Sequence, residues 1–289
     1  MFAPNKYNVS VPNTEIHHRG KSFKTLYNDF LKLFRNKFDI PEKYDFLVYN
    51  GSGSQTVEKV IQSLNFNLSH PHGDGKFELR WNEMSKYYYK ENSNNLNNCT
   101  VQFETSISKK RESAGSYLVD AVCAFPYYKL PKNFKILVTV SSKLIGAAPV
   151  LGIVIYDKSI LNDLDCSVPG GLSDWIKYSK IGQTPYTPSI SLLSSLINEI
   201  KHFNVDNLID KINFVSDMIL DIVGPNAIYG DKRAPAISIY KTHVNLVRCK
   251  QLEIYGMHSD KDFIQIFTYT ESIEKYKTIL PQLLKNDSN

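Results

Sequence analysis

The run YDFLVYN (44–50), followed by GSGS (51–54) and then QTVEKVIQSL (55–64), decides how this chain is read. A short apolar stretch gives way to a tight polar turn and then to a helical pattern. That order, strand to small-residue turn to helix, is the building step of an α/β sheet. The turn is also chemically suggestive. Glycines let backbone N–H groups converge, serines add hydroxyl donors, and the following helix presents its positive end, which makes a cup for an anion or a phosphate. Ser52, Gly53 and Ser54 are the candidate cup residues. The turn lacks the lysine of a P-loop and the full GxGxxG spacing, so on its own it reads more readily as a plain connection.

Outward from this unit, KSFKTLYNDFLKLFRNKF (21–38) places aromatic and leucine residues at helical spacing and stops before Pro41. ELRWNEMSKYYY (78–89) reads as a helix and KENSNNLNNCT (90–100) as a polar loop. Four β-rich runs follow, TVQFETS (100–106), SYLVDAVCAF (116–125), FKILVTVSS (134–142) and VLGIVIYD (150–157). Helices are predicted through SISLLSSLINEIKHF (189–203) and VDNLIDKINFVSDMILDIVG (205–224). Beyond Pro225 come the short strands AISIYKT and FIQIFTYT and a helix from about Ser272. The pattern predicts a large α/β unit over 1–224, including an N-terminal segment 1–20, and a small α+β unit over 225–289.

Composition narrows the function classes. The 289 residues are 42% hydrophobic and 22% charged, with a net charge of +5 and one tight basic group, KKR at 109–111, so nucleic-acid binding is not expected. Four dispersed cysteines form no CxxC pair, which suits reduced thiols in the cytoplasm and predicts neither a metal site nor a disulfide framework. No run approaches the ~18 apolar residues of a membrane span, and MFAPNKYNVSVPN has no leader-like apolar region.

Two strand ends carry charge. Asp120 closes the apolar run SYLVDAV, where a buried carboxylate costs several kcal/mol unless a cation or donors meet it; capping the next turn is the bland alternative. Lys143 sits where VTVSS ends and the small-residue turn LIGAAP begins. It reads either as a snorkelling edge lysine or as an amine able to bond a carbonyl cofactor.

Phosphate cup, strand-end acid and strand-end lysine, in that order, resemble the class V aminotransferases of pyridoxal-phosphate fold type I, relatives of the alanine–glyoxylate, 2-aminoethylphosphonate and phosphoserine aminotransferases. The resemblance runs from HHRGKSF (17–23) through QTPYTPSISLL (183–193). It implies a mainly parallel central sheet flanked by helices, with a small α+β C-terminal unit. It also implies pyridoxal 5′-phosphate as cofactor and an aminotransferase acting between an amine or amino acid and a keto or aldehyde acceptor. GDGKFELR (73–80) is similar to the family's Gly-x-aromatic-Gly-x-Arg segment and puts Phe77 on the cofactor ring; the plain alternative for Phe77 is a core residue. FETS (103–106) resembles the family's His-x-Glu-Thr-Ser and puts Thr105 beside the ring. Asp120 matches the acid at the ring nitrogen, Lys143 the Schiff-base lysine, and Ser142 a neighbour that orients it. The TPYTPS run makes Thr187 the residue that reaches a partner subunit's phosphate, which implies a homodimer with shared active sites.

Three departures stand out. The chain is shorter than the usual member, so a trimmed sheet edge is expected. Gln102 and Phe103 stand where the family has its histidine, and Gln265 falls near the place of its carboxylate-binding arginine. Arg19, Arg80, Arg111, Arg233 and Arg248 are the possible substitutes. The missing arginine also keeps open a lyase or decarboxylase acting on an unusual amine, and a cofactor-free interaction protein with the same fold.

Overall fold

The computed structural model describes residues 16–68, 76–91, 101–103, 117–252, 255–257 and 262–284. The first sheet contains β1 (Tyr44–Asn50), β2 (Val101–Phe103), β3 (Leu118–Asp120), β4 (Ile136–Val140) and β5 (Leu151–Asp157) in the order β1-β5-β4-β3-β2. β2, β3 and β4 pair parallel, and β5 pairs antiparallel with both β1 and β4. Four of the five strands therefore share one direction, and only β5 is reversed. Its place between β1 and β4 turns a mainly parallel sheet into a mixed one.

Period-two alternation sorts the strand residues between two cores. Ile153 and Ile155 of β5 join one cluster with Phe46 and Val48 of β1, while Val154 and Tyr156 join the other with Leu47 and Tyr49. Helix α1 (Lys21–Lys37) covers the first face with Phe23, Tyr27, Phe30 and Phe34, beside Leu193, Leu196 and Ile200 of α5 (Ile190–His202). The second face carries α2 (Gly53–Ser63), α3 (Lys76–Tyr87) and α4 (Leu172–Ser179), through Val57, Val60, Trp81, Leu172 and Trp175. Both faces are thus covered, as apolar strands require. α4 was not legible in the sequence: LSDWIKYS spans only two turns and follows a Pro-Gly-Gly turn.

One close approach fixes α2 on this sheet. A Cβ added to Gly152 of β5 would run into the side chain of Thr56, so the helix lies directly on the strand. For Thr56 to step aside it would have to break the bond its hydroxyl donates to the Ser52 carbonyl at 2.9 Å. Gly152→Val is expected to cost about 3 kcal/mol by overpacking. The measurement is the urea midpoint; a change within 0.5 kcal/mol, about the scatter of neutral surface substitutions, would refute the close approach.

A second, antiparallel sheet holds β6 (Ile228–Tyr229), β7 (Ala236–Tyr240), β8 (Tyr255–Met257) and β9 (Phe263–Phe267) in the order β6-β7-β9-β8. Its core takes Ile237, Ile239, Ile264 and Ile266 from the strands and Tyr276, Ile279, Leu280 and Leu283 from α8 (Ile273–Leu283). Cys249 of α7 (Leu246–Leu252) joins the same core, as do Val215, Ile219 and Val223 from the second half of α6 (Val205–Val223). No helix among the described residues is long and apolar enough to cross a membrane.

Candidate functional site

Because β1, β3 and β4 point the same way, their carboxyl ends lie along one edge of the sheet. Open α/β sheets bind ligands at that edge. Asn50 ends β1 there, Asp120 ends β3, and Val140 ends β4. The loop 141–150, which carries Lys143, leaves β4 at the same edge and returns as β5.

Asn50 gathers two segments far apart in sequence. Its Nδ2 donates to the Thr187 carbonyl at 3.2 Å, and its Oδ1 accepts from the Ser189 N–H at 3.3 Å. This fixes residues 187–189 beside the chain's own 51–54 turn, with the Thr187 side chain exposed. Gly51 donates to the Val150 carbonyl at 2.8 Å and so ties the lysine loop to the same turn.

The cup residues are arranged as follows. Ser52 is the N-cap of α2: its Oγ accepts from Gln55 N at 3.3 Å, while its own N–H donates to Gln55 Oε1 at 2.8 Å. That capping box satisfies Ser52 internally and leaves the Gly53 and Ser54 N–H groups at the helix tip for a ligand. Gly53 lies against the sheet end, where a Cβ would sit 2.9 Å from Val122 Cγ2 and 3.2 Å from Val140 Cγ1. Ser54 Oγ accepts from Arg80 Nη1 at 2.8 Å. The turn that lacks a P-loop lysine in sequence thus has a guanidinium beside it in space.

Asp120 is buried, with 7% of its surface exposed, and forms no ion pair among the described residues. Its Oδ2 accepts from Trp81 Nε1 at 3.0 Å and its Oδ1 from the Val122 N–H at 3.0 Å. Burial pushes the carboxyl up to about 6, against the pull of these two donors. Capping of the next turn, the bland expectation, is real through Val122, but the second donor comes from a different element.

Lys143 and Ser142 are half-buried on the 141–150 loop, and among the described residues neither side chain has a hydrogen-bond or ion-pair partner. Ser141 holds the loop in shape. Its N–H donates to the Leu151 carbonyl at 3.0 Å, its Oγ donates to the Ala148 carbonyl at 2.6 Å, and its carbonyl accepts from Ala147 N at 2.9 Å. The turn also needs a positive φ at Gly146, +78°, which glycine adopts freely, and at Val150, +76°, which a β-branched residue does not.

Phe77 is half-buried on α3, its ring 6.1 Å from that of Trp81, with the Arg80 guanidinium 5.5 Å from its centroid. Thr105 lies outside the described residues. Two functional contacts were missed in the sequence, those of Arg80 and Trp81. Trp81 stands four residues after Phe77, on the same helix face, and that spacing was the available signal. Gln265 is buried in the middle of β9, opposite Ser238 and Gly256. Arg233 pairs with Asp217, Arg248 donates to Gln282, and Arg111 lies outside the described residues; Arg80 meets this edge through Ser54. A separate cleft of about 650 Å³, between the end of α1, residues 125–130 and the α5–α6 junction, includes none of the candidate residues.

No family model and no curated protein matches the sequence. Solved structures match its fold. A phosphoserine aminotransferase from Cytophaga hutchinsonii aligns with 92% of this chain and 89% of its own at 18% identity and a TM-score of 0.76. An aspartate aminotransferase of subgroup IV from Thermus thermophilus aligns with 96% of this chain and 94% of its own at 14% identity and a TM-score of 0.76. A phosphoserine aminotransferase from Trichomonas vaginalis, solved with pyridoxal phosphate bound, aligns with 92% of this chain and 89% of its own at 10% identity and a TM-score of 0.71. The chain has the fold of these aminotransferases, with a five-stranded first sheet among its described residues.

Proposed function

We propose that the protein is a pyridoxal-phosphate-dependent aminotransferase of the class V type, and that the edge carrying Asp120 and Lys143 is its active site. One observation carries the reading: among the described residues, a buried carboxylate with only neutral donors ends one strand, and a lysine without a partner follows the end of the next. A buried carboxylate calls for a cation, and a protonated ring nitrogen supplies one. On that ground the residues present fit the cofactor.

Bound pyridoxal phosphate supplies an electrophilic carbonyl and a ring that draws electrons from the substrate carbon. The chain does the rest. Lys143 Nζ would hold the cofactor's carbonyl end and would serve as the base and acid that moves the proton at the substrate carbon. The Asp120 carboxylate keeps the ring nitrogen protonated. Gly53 and Ser54 present N–H groups to the phosphate, and Arg80, held on Ser54, adds positive charge. Ser142 orients Lys143, Phe77 borders the ring, and Thr105 belongs to the same proposal.

The homodimer is proposed on the exposed apolar side chains around this edge. Val150, Tyr186 and Leu79 are each at least half exposed, and they flank Gly51, Thr187 and Arg80 respectively. Val150 keeps its positive φ although it is 55% exposed, which a partner surface would explain. Thr187 is the residue offered to the partner's phosphate. Cytoplasmic location and the division at residue 224 remain part of the proposal; α6, which packs into the second core, bridges that division.

The test is a half-reaction. Protein loaded with pyridoxal phosphate is mixed with single amines and amino acids, and conversion of the cofactor to pyridoxamine phosphate is followed. Transamination with at least one donor is expected. Consumption of an amine with loss of carbon dioxide and an unchanged cofactor would point instead to the decarboxylase that the buried Gln265 keeps in view.

A further inference from the structure

α3 touches both ends of the candidate site with consecutive residues. Arg80 reaches Ser54 at the tip of α2, and Trp81 reaches Asp120 at the end of β3. The helix is tied to α2 a second time just past its end, where Tyr88 Oη donates to Glu58 Oε1 at 3.0 Å. It therefore sets the spacing between the phosphate cup and the strand-end acid.

The Trp81 contact has a chemical consequence that its packing does not. An indole N–H is a donor only; it cannot turn round to accept a proton as a hydroxyl, an amide or an imidazole can. The Val122 N–H, on the other carboxylate oxygen, is a donor only as well. With a fixed donor on each oxygen, the carboxylate cannot rotate without breaking a bond, and a proton on either oxygen makes it a poorer acceptor for that donor. Trp81 is 1% exposed, so water does not replace the indole. Each oxygen keeps lone-pair capacity for a further donor.

We propose that Trp81 is a positioning residue of this site: its indole N–H fixes the plane of the Asp120 carboxylate and favours the charged form, which leaves that carboxylate aimed and ionised for a cationic ring partner. The ring partner rests on the aminotransferase reading; the coupling of Trp81 to Asp120 does not. Among the described residues, the ionisable residues on the neighbouring elements are Lys76, Glu78, Arg80, Glu83, Lys86 and Tyr87 on α3, Glu58 and Lys59 on α2, and Lys143 on the loop after β4, with none on β4 itself. Among the described residues, only the two neutral donors touch the carboxylate.

The sign of the effect follows from linkage. Asp120 binds its proton more tightly folded than unfolded, so its contribution to stability is largest below the unfolded value of 3.8 and is lost as pH rises through about 6. The experiment measures urea midpoints of the cofactor-free chain from pH 4.5 to 8 in wild type, Trp81→Phe, Asp120→Asn and the double variant. Subtracting each Asp120→Asn background isolates Asp120. In wild type the difference falls and levels off just above pH 6. In Trp81→Phe, with a donor to the charged form removed, it levels off about one pH unit higher. A uniform loss of stability with the same levelling pH is what packing alone produces, and it overturns the proposal.

If Trp81→Phe does not fold, the wild type carries the test. The chain has two tryptophans, so two indole N–H resonances, assigned with Trp175→Phe. The Trp81 resonance must move with pH as Asp120 titrates; one indifferent to pH between 5 and 8 refutes the coupling. Pyridoxal phosphate is titrated in parallel, with about tenfold weaker binding expected in Trp81→Phe. Wild type that ignores pyridoxal phosphate altogether would defeat the aminotransferase reading and leave the coupling standing on its titration.

Discussion

Lys143→Ala is expected to abolish turnover while leaving the fold intact. The side chain has no partner among the described residues, so its removal should change the urea midpoint by no more than about 0.5 kcal/mol. The loop that carries it is shaped by Ser141, which makes three hydrogen bonds within 141–151, and by Gly51, which holds the Val150 carbonyl. None of these uses the lysine. Its chemical loss is double: the amine that holds the cofactor carbonyl, and the proton carrier, whose removal alone is worth about 10²–10⁴-fold. Mass spectrometry after borohydride treatment should find the cofactor fixed to the wild-type chain and absent from the variant. Cofactor still fixed to the alanine variant would place the reactive amine elsewhere, and the assignment of this edge would go with it.

How far the sequence carried the fold depends on which contacts are local. The strand–turn–helix at 44–64 was legible because apolar period and turn chemistry agree within twenty residues. β5 was legible as a buried strand, but its reversed direction was not, since direction is decided by where the chain can cross and not by composition. Asp120 and Lys143 were each ambiguous alone, and both lie at the sheet edge where ligands bind. What the sequence could not supply was the set of pairings across elements. Asn50 with Thr187 and Ser189 joins residues more than 130 positions apart, and Trp81 with Asp120 joins a helix to a strand end. Phe77 drew the reading because a motif pointed at it. Trp81, one helical turn on, is the side chain that reaches the acid, because the face α3 turns to β3 is set by its ties to α2.

Asp120→Asn is expected to lower the affinity for pyridoxal phosphate about 100- to 5,000-fold, since removing one partner of a buried charge pair costs about 3–5 kcal/mol. The cofactor-free variant should show no matching loss of stability. Raising a buried carboxyl from 3.8 to about 6 means that the ionised group already costs the wild-type fold about 3 kcal/mol above that pH. Asparagine removes this cost. In exchange its amide can accept from Trp81 or from Val122 but not from both, so one donor is left unpaired, a loss of about 1–3 kcal/mol. The two changes nearly cancel. At pH 8 the variant should therefore unfold near the wild-type urea midpoint, and between pH 4.5 and 6.5 its midpoint should lack the wild type's downward slope. Loss of cofactor from a chain that remains as stable as before cannot be put down to unfolding, and it would fix the role of Asp120 as counter-charge to the ring. Unchanged affinity would mean that the ring nitrogen takes its proton from another group, and that the buried acid serves only to cap the turn at Val122.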